Sequence, residues 1–232
     1  MCTRWRTYCG VTVYGSSRSP GREALSTLGR AGQSRGRYEE AEPLLEESRV
    51  LRLQRGDERY AAASLAALAQ GALNREDLAR ARTLLEDALR TIRQYDHPWG
   101  WGMVLTQLGH VELAEGNVPR AHEMFAESAT LFQSIGNPLY LSWTLEGLAG
   151  VAAAGERWQL AAQLCGARDA LRARMGSSVP PAYASGYTRM LQAVHSALGI
   201  DGFTQAYERG EKAALDQLIA EVLREERGDS SG

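Results

Sequence analysis

Forty residues separate Leu25 from Leu65, Leu65 from Leu105 and Leu105 from Leu145, and a second leucine series, Leu28, Leu68, Leu108 and Leu148, keeps the same step. Three further series run in phase: Gly29, Ala69, Gly109 and Ala149; Ala41, Ala81, Ala121 and Ala161; Leu45, Leu85, Phe125 and Cys165. A fixed period of this length marks stacked supersecondary units, because a single unit can bury its apolar face only against a neighbour.

Inside one unit the spacing is helical. Leu105, Leu108, Gly109 and Glu112 fall at i, i+3, i+4 and i+7, one stripe of a helix, and a second stripe runs through Ala121, Met124, Phe125, Ser128 and Leu131. Between the stripes, "EGN" at 115–117 puts a glycine where the first helix stops, with Asn117 placed to cap the next helix and Pro119 tolerated in its first turn. Each unit is therefore a helical hairpin. Gly109 and Ala121 lack bulk, as two closely crossing helices require, while the side chains at 105, 108 and 125 fill the groove to the next hairpin. Pro43, several residues inside the second helix of the first copy, removes one backbone hydrogen bond.

The expected fold is all-α: an α-solenoid of about four helical hairpins over residues 22–176, covered by C-terminal capping helices over 177–226. Residues 1–21 read as a disordered or misassigned N-terminal tail and 227–232 as a disordered tail. In the cap, Pro180 and Pro181 stop the fourth hairpin, a helix runs from about 181 to 198, and Gly199 ends it. Leu215, Leu218, Ile219, Val222 and Leu223 then form an apolar stripe on the last helix.

Charge and motifs narrow the chemistry. A formal net charge of −2 speaks against a general polyanion binder, and the arginines alternate with acids along the helices, as in "EESRVLRLQRGDER", which describes a solvated face. Direct nucleic-acid binding is not expected. Lys212 is the only lysine, and no G-x-x-x-x-G-K-[ST] phosphate loop is present. His97, His110, His122 and His195 show no metal-ligand spacing, and there is no G-x-S-x-G nucleophile elbow, so neither a metal, a cofactor nor an enzyme is expected. Cys2, Cys9 and Cys165 have no paired spacing, and no apolar run approaches the roughly 20 residues that cross a bilayer, which fits a reducing cytoplasm. In "HPWGWGM", residues 97–103, Trp99 sits at the mouth of a hairpin and Trp101 begins the next helix; both suit an inter-repeat joint, and Trp99 also suits contact with a partner domain.

The pattern in "LTQLGHVELAEGNVPRAHEMFAES" resembles the tetratricopeptide repeat (TPR). The period of forty exceeds the usual length of about 34, which points to an extended second helix, "AHEMFAESATLFQSIG", and is similar to the long repeats of the maltose-regulon activator and related signal-transduction ATPases. Residues 160–223 are similar to the ending of such bacterial regulators, some of which carry a LuxR-type DNA-binding domain after it. The resemblance implies that the first helix of each hairpin lines a concave face, and by register it assigns Arg30, Gln70, Met103, Thr106, His110, Trp143 and Glu146 to partner or ligand contact. The lysines and asparagines of a carboxylate clamp are not found there, so an acidic chaperone tail is not the expected partner. The expectation is a protein-interaction or effector-sensing module, the C-terminal part of a regulator ATPase without its ATPase and DNA-binding domains, taking a protein or a small effector in the groove. A stand-alone TPR adaptor is the alternative, with self-association through the repeat ends open to either.

Overall fold

The computed structural model describes residues 6–8, 11–13, 21–95, 97–176 and 184–228. A short antiparallel ribbon, β1 (Arg6–Tyr8) and β2 (Val11–Val13), pairs Thr7 with Thr12. Every other described element is helical. The helices are α1 (Arg22–Ser34), α2 (Tyr38–Leu53), α3 (Glu58–Asn74), α4 (Leu78–Ile92), α5 (Pro98–Ala114), α6 (Val118–Ser134), α7 (Pro138–Ala154), α8 (Trp158–Arg174), α9 (Ala184–Lys212) and α10 (Leu215–Gly228). This is the TPR-like all-α solenoid architecture of consecutive packed helix pairs. Most of the expected tail at 1–21, and Pro180 and Pro181, lie outside the described residues.

The forty-residue period divides evenly. Helices α5, α6, α7 and α8 are each 17 residues long, about 25 Å of helix at 1.5 Å per residue. In these two hairpins the second helix is thus not the extended one: both partners have the same length, so that each has the same length of neighbour to bury against. Pro43 sits inside α2, which continues through it.

A recurrent backbone device ends the helices. At the close of α5 the Asn117 amide donates to the Glu112 carbonyl (2.8 Å) and the Gly116 amide to the Leu113 carbonyl (3.1 Å), with Gly116 at φ 84°. This is the Schellman arrangement, in which a left-handed residue turns two amides back onto orphan carbonyls. Gly36, Glu76 and Glu156 occupy the same place after α1, α3 and α7, the two glutamates at φ 61° and 56°. Asn117 does not cap α6 with its side chain; its Nδ2 instead donates to Glu112 Oε2 at 2.9 Å. Turning back one helical turn satisfies a carboxylate that is itself only 2% exposed.

The chain forms two compact units that divide between Gln107 and Leu108, inside α5. In the first, α1 packs on α2, α2 on α3 and α3 on α4. Leu25, Leu28 and Leu44 form one core cluster, and Leu45, Ala67 and Leu68 the next. Gln33, 3% exposed, donates to the Ala67 carbonyl at 2.7 Å and ties α1 to α3.

In the second unit α6 packs on α7 and α7 on α8. The fully buried Phe125 ring is held between two glycines: a Cβ at Gly109 would stand 2.8 Å from it, and one at Gly147 2.2 Å. Helix α9 bends at Gly199 (φ 67°), and its later half meets α8 backbone to backbone, since a Cβ at Gly166 would lie 2.1 Å from the Tyr207 carbonyl oxygen and one at Gly210 1.8 Å from that of Gln163. Only glycine permits so close an approach. On α10, Leu218, Ile219 and Val222 are buried, and Asp216 accepts from Gln133 Nε2 at 2.9 Å.

Candidate functional site

Repeat register defines which positions the fold requires to be apolar, and departures from it mark candidate sites. Positions 48, 88, 128 and 168 are all buried; they carry serine, alanine, serine and then arginine. Positions 52, 92, 132 and 172 are buried as well, and carry arginine, isoleucine, phenylalanine and arginine. The fourth hairpin therefore places two guanidiniums, 3% and 4% exposed, where the third places Ser128 and Phe132.

Their partners come from three helices. Arg168 pairs with Glu146 Oε2 of α7 at 2.8 Å and with the neighbouring Asp169 on α8. Asp169 Oδ2 also accepts from the hydroxyls of Tyr187 (3.0 Å) and Tyr207 (2.8 Å), both on α9. The Arg168 guanidinium lies 3.7 Å from the Tyr187 ring centroid, which adds a cation–π contact. Arg172 donates to Ser142 Oγ at 3.0 Å. Two cations and two carboxylates balance, which is the condition under which charges persist in an interior.

The environment sets the protonation states. Burial pushes the Glu146 carboxyl above its ordinary range, and Arg168 opposes this only in part. For Arg168, burial works against the charge, but the attraction of Glu146 and Asp169 prevails and its pKa stands above the usual arginine value. Arg172 moves the other way, lowered by burial and then by Arg168. Burial likewise raises both tyrosines, and it pushes the nearby Cys165 thiol up to about 12. At neutral pH the two tyrosine hydroxyls and the Cys165 thiol therefore keep their protons, and the hydroxyls remain donors to Asp169. Among the described residues no group of three His, Cys, Asp or Glu side chains could hold a metal ion.

The residues read from the repeat register divide between the two units. In the first, Met103 and Thr106 are interior, 4% and 2% exposed, and Thr106 Oγ1 donates to the Gly102 carbonyl. Arg30 and Gln70 are half-buried. Gln70 belongs to a chain of amides that the repeat pattern does not reveal: Gln107 Nε2 donates to Gln70 Oε1 (3.2 Å), and Gln70 Nε2 to Asn74 Oδ1 (3.1 Å). Its two ends, Gln107 Oε1 and Asn74 Nδ2, are buried with no hydrogen-bond partner among the described residues, as is Arg30 Nε. In the second unit, His110, Trp143 and Glu146 are half-buried. His110 stands edge-on to Phe125, centroids 5.0 Å apart, and burial lowers its pKa to about 4, so it is neutral at physiological pH. Trp143 leans on Tyr140, which stacks on Phe132.

Trp99 and Trp101 both lie in the first turn of α5. His97 Nδ1 accepts from the Gly100 amide at 2.9 Å, so a histidine begins the helix; its ring meets Trp99 edge-on, and Arg93 lies over the Trp101 ring at 5.5 Å. No described helix is long and apolar enough to cross a membrane.

Comparison with known proteins places this geometry. The family model described as Tetratricopeptide repeat matches residues 22–54, the first hairpin. No curated protein matches the sequence. Among solved structures, the nearly identical TPR-like repeats of a Podosopora anserina protein, provisionally assigned as a kinesin light chain, are 19% identical, with 90% of this chain and 96% of that one covered at a TM-score of 0.52. A point-substituted form of that protein gives 19% identity, 89% and 96% coverage and a TM-score of 0.53. At this identity the likeness is one of fold, consecutive helix pairs of the TPR-like all-α type.

Proposed function

We propose that this chain is a protein-interaction module that holds a partner segment along the first helices of its hairpins. The observation that carries the reading is the amide chain Gln107–Gln70–Asn74 in the first unit, with its two unsatisfied ends and Arg30 Nε. An unmade hydrogen bond on a buried polar atom costs about 1–3 kcal/mol. Turned toward the surface, these side chains would find in a polypeptide main chain both the donor and the acceptor that they lack. In the second unit Trp143 and Glu146 offer an apolar and an acidic contact, and the buried Arg168 holds the carboxylate in place.

A finer reading makes the chain the effector-sensing arm of a bacterial regulator ATPase. It is favoured by residues 160–223, where α9 closes on the fourth hairpin through Tyr187 and Tyr207. A stand-alone adaptor accounts equally well for the repeats.

The test immobilises the full chain and a Gln70→Ala/Gln107→Ala variant and compares the proteins each retains from native extract. Proteins held by the wild type and released by the variant support the reading; identical sets refute it. An immunoblot of the same extract separates the finer readings, because an adaptor runs near 25.4 kDa and the arm of a regulator far above it.

A further inference from the structure

A pocket of about 440 Å3 opens in the first unit between α2 and α4, over the first half of α3. That volume falls within the roughly 300–1,000 Å3 of ordinary ligand sites. Its apolar lining is Leu53, Ala61, Ala62 and Leu65. At the rim, Arg49 pairs with Glu46, Arg90 with Asp87, and Glu58 accepts from the Tyr95 hydroxyl at 2.9 Å. The rim therefore carries both signs and its charges are already answered.

Repeat register shows what size of group belongs here. Ala61 stands where the next copy has Trp101 and the one after it Leu141; Leu53 stands where the next copy has Arg93. One repeat on, the Arg93 guanidinium covers the Trp101 ring. The alanine leaves unfilled the space over the start of α3 that an indole takes over the start of α5. Among the described residues of the first unit, the large apolar or aromatic side chains that are exposed are Val50, Leu53, Tyr60 and Tyr95. Of these, Leu53 lines the pocket and Tyr95 holds its rim carboxylate. An apolar cavity with an exposed leucine in its wall and a charged rim suits a protein contact.

We propose that this pocket is a second docking site, a socket for one aromatic side chain, tryptophan first, of a protein partner. It rests on the reading of the chain as an interaction module but lies between second helices rather than along the first ones.

The probe is N-acetyl-L-tryptophanamide, titrated into the full isotope-labelled chain and followed by backbone amide shifts. Millimolar saturation with shifts centred on Ala61, Ala62 and Leu65, and no comparable response to N-acetyl-L-alaninamide, supports the socket. Ala61→Trp plugs it from within and should abolish the shifts; Leu53→Glu, at a 44% exposed position that folding tolerates, should weaken binding at least tenfold. Scattered shifts, or equal binding by both variants and the wild type, overturn the proposal. So does a concentration-dependent dimer that Ala61→Trp abolishes, which would give the pocket to a second copy of this chain. Loss of partner capture in Gln70→Ala/Gln107→Ala with no probe binding at the pocket refutes the socket alone.

Discussion

Replacing Gly147 by alanine tests whether the Phe125 ring is clamped. The new Cβ would stand 2.2 Å, 2.3 Å and 2.6 Å from Cε1, Cζ and Cδ1 of Phe125, so a small rotation cannot relieve all three contacts. Nor can the ring retreat toward α5, where the space for a Cβ at Gly109 is already within 2.8 Å of it. Overpacking of this kind costs about 1–3 kcal/mol, and the clamp argues for the upper end. Alanine in a helix interior returns about 1 kcal/mol over glycine. The net is a destabilisation of about 2 kcal/mol, a fall in Tm of roughly 5–10 °C for a unit of this size. The assay is thermal and urea unfolding followed by circular dichroism and tryptophan fluorescence, on the single variant, on Phe125→Leu and on the double. Leucine occupies the equivalent positions 45 and 85, so the double variant should recover most of the loss attributable to Gly147→Ala. A single variant more stable than the wild type, or strictly additive effects, would refute the clamp.

Three further outcomes follow from the same structure. Glu156, held at φ 56°, should be replaceable by glycine with a gain of about 0.5–1 kcal/mol in urea unfolding, since a left-handed residue with a side chain carries a steric cost of roughly 1–2 kcal/mol. The carboxyl of Glu146 holds its proton more tightly folded than unfolded, so its contribution is complete below the ordinary value of 4.5 and is lost as pH rises through the raised folded value; the stability of the wild type relative to Glu146→Gln should therefore fall as pH rises from 4.5 through that folded value. With its thiol buried and its pKa pushed up to about 12, Cys165 should resist iodoacetamide at pH 8 in the native chain and react fully in denaturant.

The hairpins were legible in the sequence because local rules make them. Leucine and small residues at a constant forty-residue step, with glycine at 36, 116 and 136, specify which face of each helix is apolar and where each helix must turn. The register of the first helices also singled out Gln70 and Glu146, which are half-buried, together with Met103 and Thr106, which lie in the interior. Periodicity names the stripe a residue belongs to and leaves open how deeply the neighbouring helix covers it.

Only the tertiary structure decided what those residues meet. Arg168 and Arg172 stand at positions that the repeat marks as core, and their charge is tolerable because Glu146, Asp169, Tyr187 and Tyr207 arrive from α7, α8 and α9. Gln107 and Gln70 are 37 residues apart and become one chain of amides only when α3 and α5 lie side by side. The pocket above Ala61 is invisible in a row of letters, since alanine reads there as an ordinary helix residue, and it becomes a cavity because α2, α3 and α4 bring Leu53, Ala61, Leu65 and Thr91 around one space. A one-dimensional pattern encodes the period and the face; convergence of distant side chains and the volume left between them depend on distances in three dimensions.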